Sequence, residues 1–161
     1  MMKPGCFMAS VDLENAYYTM PIHSVHQKYL KFMFNGTLYQ YTCLPNGLSS
    51  APRIFIKLLK PVYATLHNRG HLSSAYIDDT YLQGDTVEKC QQNITDTARL
   101  FSRLGFLIHP TKSVFTPSHI LTFLGFILNP WEMTVAPTQE KINKNTEACS
   151  ALLNMVNPPI F

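Results

Sequence analysis

The sequence predicts an α+β fold, an antiparallel sheet backed by helices on one face, and three observations carry that expectation. Runs with strand-like alternation are interleaved with stretches of helical periodicity. The dipeptide Asn35-Gly36 sits between two β-rich runs, the strongest short signal for a hairpin. Strands therefore arrive in pairs between helices, in an order close to β-ββ-α-ββ-α-β-ββ-α, which suits an antiparallel sheet covered by helices better than a parallel one.

Each element has a local reason. "CFMASVDL" (6–13) carries Val and Phe, alternates in part and reads as a strand ending on Asp12. "KYLKFMFNGTLYQYTCL" supplies both strands of the Asn35-Gly36 hairpin. After "PNGLSSAP", apolar residues at Ile54, Phe55, Leu58, Leu59, Val62, Tyr63 and Leu66 keep one helical face apolar until Gly70, with a kink expected at Pro61. "SAYIDDTYLQG" (74–84) reads as strand, turn and strand, with Asp78 and Asp79 at the tip. A second helix follows, with Val87, Cys90, Ile94, Ala98, Phe101 and Leu104 on one face, Asp85 as N-cap and Gly105 closing it. Short strands "FLIH", "LTFLGFIL" and "MTVA" come next, then a helix from Pro137 to about Leu153.

Composition narrows the function classes. At 161 residues, 46% hydrophobic and 14% charged, the chain can bury a core and is not a disordered segment. The longest apolar runs, such as "FLGFIL", fall far short of the ~20 residues of a membrane span. The N-terminus lacks the pattern of a secretory signal, so the expected setting is intracellular, in cytoplasm or nucleus, with no membrane partner. Cys6, Cys43, Cys90 and Cys149 are widely spaced and read as reduced thiols, mostly buried. The Asn-x-Thr matches at Asn35 and Asn93 are discounted as chance. His67 and His71 could imitate a metal pair, but Gly70 ends the helix between them. A net charge of +3 is compatible with a polyanionic partner without demanding one.

The chemistry-bearing pattern is the set of acidic strand ends. If the strand at Asp12 neighbours the hairpin at Asp78 and Asp79, three carboxylates converge at one end of a sheet. Like charges that close are tolerable when a cation is shared between them, and a hard divalent ion such as Mg²⁺ suits carboxylates together with substrate phosphates. Taken alone, "YIDD" reads more readily as an ordinary acidic turn than as a catalytic pair.

The order of the surrounding motifs decides between these readings. "DLENAYYTMPI" from Asp12 resembles motif A of reverse transcriptases, "LPNGLSSAPRIFIKLL" from Leu44 their motif B, and "YIDD" from Tyr76 their Y-x-D-D motif C. "LGFLIHPTKS" from Leu104 resembles motif D, and "FLGFIL" from Phe123 motif E, the primer grip. "LSSAP...KLLKPV" and "HILTFLGF" are most similar to retroelement enzymes of the DIRS-like group, with LTR-retrotransposon enzymes next.

The resemblance implies a polymerase palm with a ferredoxin-like (RRM-like) core over residues 1–136, and the start of a thumb or connection over 137–161. It implies an RNA-directed DNA polymerase, a nucleotidyltransferase adding dNTPs to a primer 3′-hydroxyl on an RNA or DNA template with two Mg²⁺ ions, or Mn²⁺ in their place. Asp12 and Asp78 would be the principal metal ligands, the Leu13 carbonyl a further one, and Asp79 the third acid. Tyr17, Asn46 and Gly47 would contact the incoming nucleotide, with Tyr17 beneath the sugar where a 2′-hydroxyl would clash; a plain core tyrosine is the other reading. Lys112 would face the pyrophosphate leaving group, or else be a solvated lysine. Phe123, Leu124, Gly125 and Phe126 would form the primer grip, while Arg53 and Lys57, with Lys60, would touch template or be a solvated helix face.

Asn46 departs from the family, many of whose members carry glutamine or phenylalanine there; asparagine still hydrogen-bonds but reaches less far. No counterpart of the fingers is expected before Cys6, nor a ribonuclease H after the grip; these belong to the parent polyprotein, without which the chain alone is expected to be inactive. Two rival readings follow: a non-catalytic remnant that binds nucleic acid or a partner, and an RNA-templated RNA polymerase, against which Tyr17 argues.

Overall fold

A computed structural model describes residues 2–154. The central sheet is built on β1 (Phe7–Glu14), which runs two residues past Asp12 rather than ending there. Its neighbours are all antiparallel. On one side lies β5 (Asp79–Gly84), itself paired with β4 (Leu72–Tyr76). On the other side β6 (Leu107–Ile108) and β7 (Val114–Ser118) share the second edge of β1.

Alternation along β1 sorts its side chains between two environments. Ala9, Val11 and Leu13 face a helical layer made by α2 (Ala51–Asn68) and α3 (Val87–Arg103), where they pack with Phe55, Leu59, Val62, Cys90, Ile94 and Phe101. Phe55, Phe101 and Phe106 meet edge to face, the arrangement aromatic quadrupoles favour. On the opposite face Met8 packs with Cys6, Tyr81 and Leu121. That contact brings in a second sheet of β8 (Leu121–Phe123), β9 (Phe126–Asn129) and β10 (Thr134–Pro137), followed by α4 (Gln139–Leu153). The second sheet covers only the Met8 end, and Asp12, farther along the same face, stays half-buried.

The hairpin at Asn35-Gly36 forms as β2 (Lys31–Phe34) and β3 (Thr37–Gln40), with both turn residues at positive φ. It stands as a separate two-stranded sheet whose residues are all exposed. Between β1 and this hairpin come a 3₁₀ turn over Ala16–Thr19 and the single-turn α1 (Ser24–Gln27), neither expected from the sequence.

The structure corrects some expectations and agrees with others. "LTFLGFIL" is a hairpin, β8 and β9, because Leu124 and Gly125 both take positive φ between Phe123 and Phe126. β7 was not anticipated: Pro117 and its polar neighbours interrupt the alternation that marks a strand, yet the segment pairs with β1. The N-cap of α3 is Thr86, whose hydroxyl accepts from the Lys89 amide; Asp85 instead pairs with the Lys3 ammonium at 3.1 Å. Leu104 is the C-cap, and Gly105 follows it at φ +84. α2 is helical over all 18 of its residues, Pro61 included. Of the four free thiols, Cys6 and Cys90 are buried, Cys43 is half-buried and Cys149 is exposed. His67 and His71 are not a metal pair: the first contacts the Ser73 hydroxyl at 3.0 Å, the second the Asp96 carboxylate at 2.8 Å. Asn93 is buried and donates to the Leu72 and Gln83 carbonyls, which removes it as a glycosylation acceptor. The region expected to begin a thumb, 137–161, is strand end and helix as far as residue 154; its remaining residues lie outside those described.

Candidate active site

Cross-strand register creates the site. Asp12 of β1 pairs directly with Asp79 of β5, so two carboxylates occupy opposed positions, where like charges destabilise a sheet. Asp78 sits in the two-residue turn between Tyr76 and Asp79, and its carbonyl accepts from the Leu13 amide at 3.0 Å. That bond pins the turn to β1. The turn itself is strained: Ile77 has φ +56, a region that β-branched residues rarely enter and that costs of order 1–3 kcal/mol. Positive φ at the first central residue alone is the pattern of a type II′ turn. Packing of the Ile77 side chain against the helix-facing core offsets part of that cost.

The electrostatics follow from this crowding. The Asp79 carboxyl is pushed up from 3.8 to about 6, chiefly by burial, then by the charges of Asp78 and Asp12 and a hydrogen bond with Asp12. Lys112 opposes the rise, so its ammonium lies near enough to act on Asp79. Lys112 is delivered by the loop joining β6 to β7, and that loop grips Asp12 on both sides. The His109 amide donates to the Asp12 carbonyl at 2.8 Å, and the Asp12 amide donates to the Ser113 hydroxyl at 3.0 Å. Ser113 ends the motif D stretch, but nothing in the sequence singled it out as a partner of Asp12; the hydrogen bond reveals that role.

Beside the turn lies a cavity of about 250 Å³ lined by Tyr17, Tyr18, Asn46, Ile77 and Asp78. Tyr17 stands edge-on to Phe55, with ring centroids 5.5 Å apart, and is held by the 3₁₀ turn that follows β1. Burial, then the Asp78 charge and Tyr76, push its phenol above the usual range. Asn46 donates to the Tyr18 hydroxyl at 3.0 Å, so its amide is held at the cavity by a residue not singled out beforehand. Gly47, at φ +86, follows Asn46 but does not line this cavity.

The remaining candidates lie elsewhere. Arg53 and Lys57 project from the exposed side of α2, and among the described residues neither has an acidic partner within 4.0 Å. Phe123, Leu124, Gly125 and Phe126 make the β8–β9 turn, joined to the central sheet by Phe123 against Tyr81 at 5.9 Å between centroids. Lys141 of α4 fixes this turn, donating to the Leu124 carbonyl at 3.3 Å with its ammonium 3.6 Å from the Phe126 ring centre.

The donor set at Asp12, Asp78 and Asp79 is all carboxylate oxygen, which suits a hard divalent cation. Among the described residues no group of three or more His, Cys, Asp or Glu side chains stands ready to cage an ion. Carboxylate donors suit an ion such as Mg²⁺, which takes one or two of them and completes its shell with water and phosphate.

The central sheet thus sets an acidic hairpin opposite an acidic strand. The family model described as "Reverse transcriptase (RNA-dependent DNA polymerase)" matches residues 2–128, so the chain belongs to the reverse transcriptase family and is a reverse transcriptase domain of a retroelement. It is 29% identical over 140 residues to the Gag-Pro-Pol polyprotein of Human T-cell leukemia virus 2, a match covering 81% of this chain and 10% of that one. It is likewise 29% identical over 136 residues to the Gag-Pol polyprotein of Walleye dermal sarcoma virus, covering 81% and 7%. The chain thus spans a tenth or less of the length of these curated relatives. In fold it matches a foamy viral protease-reverse transcriptase in complex with double-stranded DNA, with a TM-score of 0.75 at 22% identity, over 98% of this chain and 25% of that one. The same enzyme in complex with an RNA/DNA hybrid matches with a TM-score of 0.71 at 23% identity, over 94% and 19%. Divalent-metal dependence is general in this family.

Proposed function

We propose that this chain carries the catalytic palm of an RNA-directed DNA polymerase that adds dNTPs to a primer 3′-hydroxyl. The observation that carries the reading is the opposed pair Asp12 and Asp79, with Asp78 in a strained turn at the mouth of a cavity lined by Tyr17 and Asn46. Residues 1–136 would serve as the palm and 137–161 as the start of the thumb, within a longer polyprotein; the DIRS-like group remains our proposed origin.

Asp12 and Asp78, with the Leu13 carbonyl and Asp79, would hold two Mg²⁺ ions, or Mn²⁺. When bound, these ions supply a lowered pKa for the attacking hydroxyl and charge neutralisation for the triphosphate. The chain's own residues do the rest. The Ser113 and His109 contacts fix the Asp12 backbone, and the Leu13–Asp78 bond fixes the turn against it. Tyr17, braced on Phe55, offers a flat floor for a deoxyribose and leaves no room for a 2′-hydroxyl. Lys112 offsets charge developing on the departing pyrophosphate. The Phe123–Phe126 turn holds the primer end, and Arg53 and Lys57 meet template phosphates. Double-stranded DNA and RNA/DNA hybrid in complexes of the fold relatives support a template-primer duplex as partner.

Asp78→Asn in the complete polymerase should abolish extension of poly(rA)/oligo(dT) in Mg²⁺ while leaving the circular dichroism unchanged; near-normal extension would sink the assignment. Tyr17→Ala should raise ribonucleotide incorporation relative to deoxynucleotide. A wild-type enzyme already indifferent to the sugar would point instead to an RNA polymerase.

A further inference from the structure

A cavity of about 360 Å³ opens at the other end of the sheet, lined in part by Lys3, Arg69, His71, Gln83, Lys89 and Gln92. The β1–β5 ladder runs from the Asp12–Asp79 pair to the Phe7–Gly84 pair, roughly 17 Å of strand at ~3.4 Å per residue. The two sites therefore share a sheet but not a surface.

The lining has a distinct charge and donor balance. Lys3, Arg69 and Lys89 bring three cations, against Asp85 as the carboxylate lining the cavity, which sits 3.1 Å from the Lys3 ammonium and 3.9 Å from that of Lys89. The nearby Asp96 carboxylate is committed to His71 at 2.8 Å and Arg99 at 4.0 Å. Arg69 has no acidic partner within 4.0 Å among the described residues.

Guanidinium and ammonium N–H groups are all donors, and together they ask for a ligand rich in acceptor oxygens and negative charge. The volume lies at the lower end of the ~300–1,000 Å³ range of small-molecule clefts.

We infer that this cavity is a second anion site, which takes the terminal phosphate of a small phosphate monoester. A monoester presents a dianion and three free oxygens to the three cations Lys3, Arg69 and Lys89. A backbone diester carries one charge and a sugar on either side, a poorer match in both charge and shape.

The test is a ¹H–¹⁵N correlation titration of the labelled 161-residue chain with inorganic phosphate, with ribose 5-phosphate, and with a short oligonucleotide ending in hydroxyls. Saturable shifts at 69–72 and at 85–89 are expected with the first two. Arg69→Ala and Lys89→Ala, both at exposed positions, should each weaken that binding about tenfold, the loss of one charge-assisted hydrogen bond. Asp79→Asn should leave it unchanged. Shifts confined to the Asp12 and Lys112 region, equal affinity in Arg69→Ala, equal occupancy by the hydroxyl-ended oligonucleotide, or no saturation would each overturn the inference.

Discussion

The turn at Asn35-Gly36 and the turn at Ile77-Asp78 both join antiparallel strands through two residues, but they do so with opposite chemistry. In the first, asparagine and glycine take the positive φ values that such turns need at little steric cost, and the hairpin they make is exposed throughout. In the second, a β-branched isoleucine is forced to φ +56, and the strand that follows opens on a carboxylate directly opposite another. The first turn is chosen by local propensity. The second is held against propensity by Ile77 packing into the core and by the Leu13–Asp78 bond, and it delivers an acid to the mouth of a cavity. Strain tolerated at one turn and avoided at another marks where the chain has been fitted to something other than folding.

Substitutions can break this contrast. Replacing Ile77-Asp78 by Asn-Gly should have the largest effect: extension by the complete polymerase is lost, while release of about 1–3 kcal/mol of turn strain offsets the core packing given up with the isoleucine. Urea denaturation and a primer-extension assay read the two outcomes, and a variant destabilised by the full worth of a buried isoleucine, about 1.5–3 kcal/mol, would show that the turn stores no strain. Gly36→Ala should act in reverse, costing about 1–2 kcal/mol because an alanine must enter the left-handed region, again measured in urea.

The smallest effect, and the most specific, concerns pH. The folded value of Asp79, about 6, lies above its ordinary 3.8, so between these values the folded chain holds a proton that the unfolded chain has released. Asp79 therefore favours the fold most below about pH 4, and this contribution is lost as pH rises through about 6. Relative to Asp79→Asn, the metal-free wild type should lose stability from pH 4 to 7. Above pH 7, adding Mg²⁺ should restore more of it to the wild type than to the variant. Parallel pH profiles for the two proteins would show that the carboxylates are not crowded.

Much of this was legible in the sequence because it depends on local chemistry. Helical periodicity at Phe55, Leu59, Val62 and Leu66 and at Cys90, Ile94 and Phe101 named the faces that reach the core. The Asn35-Gly36 turn was visible because few dipeptides suit positive φ twice over. β7 was not visible: a short segment containing Pro117 has little strand character, and pairs only because β1 presents an edge to it. Thr86 in place of Asp85 as helix cap was equally out of reach, since both residues can cap and Asp85 is drawn off by Lys3, a residue far away in the chain.

The sequence alone determined the main helices and hairpins and their order, the family motifs and the carboxylates, since periodicity, turn chemistry and residue identity are properties of neighbours along the chain. The tertiary structure decided which acids meet, that Ser113 and the His109 amide bracket Asp12, that Asn46 is held by Tyr18, and that a donor-lined cavity forms at the far pole of the sheet. Those facts rest on strand register and on contacts between residues distant in sequence. A shift of one position would turn Asp12 to the helix-facing side of the sheet without altering a single local preference.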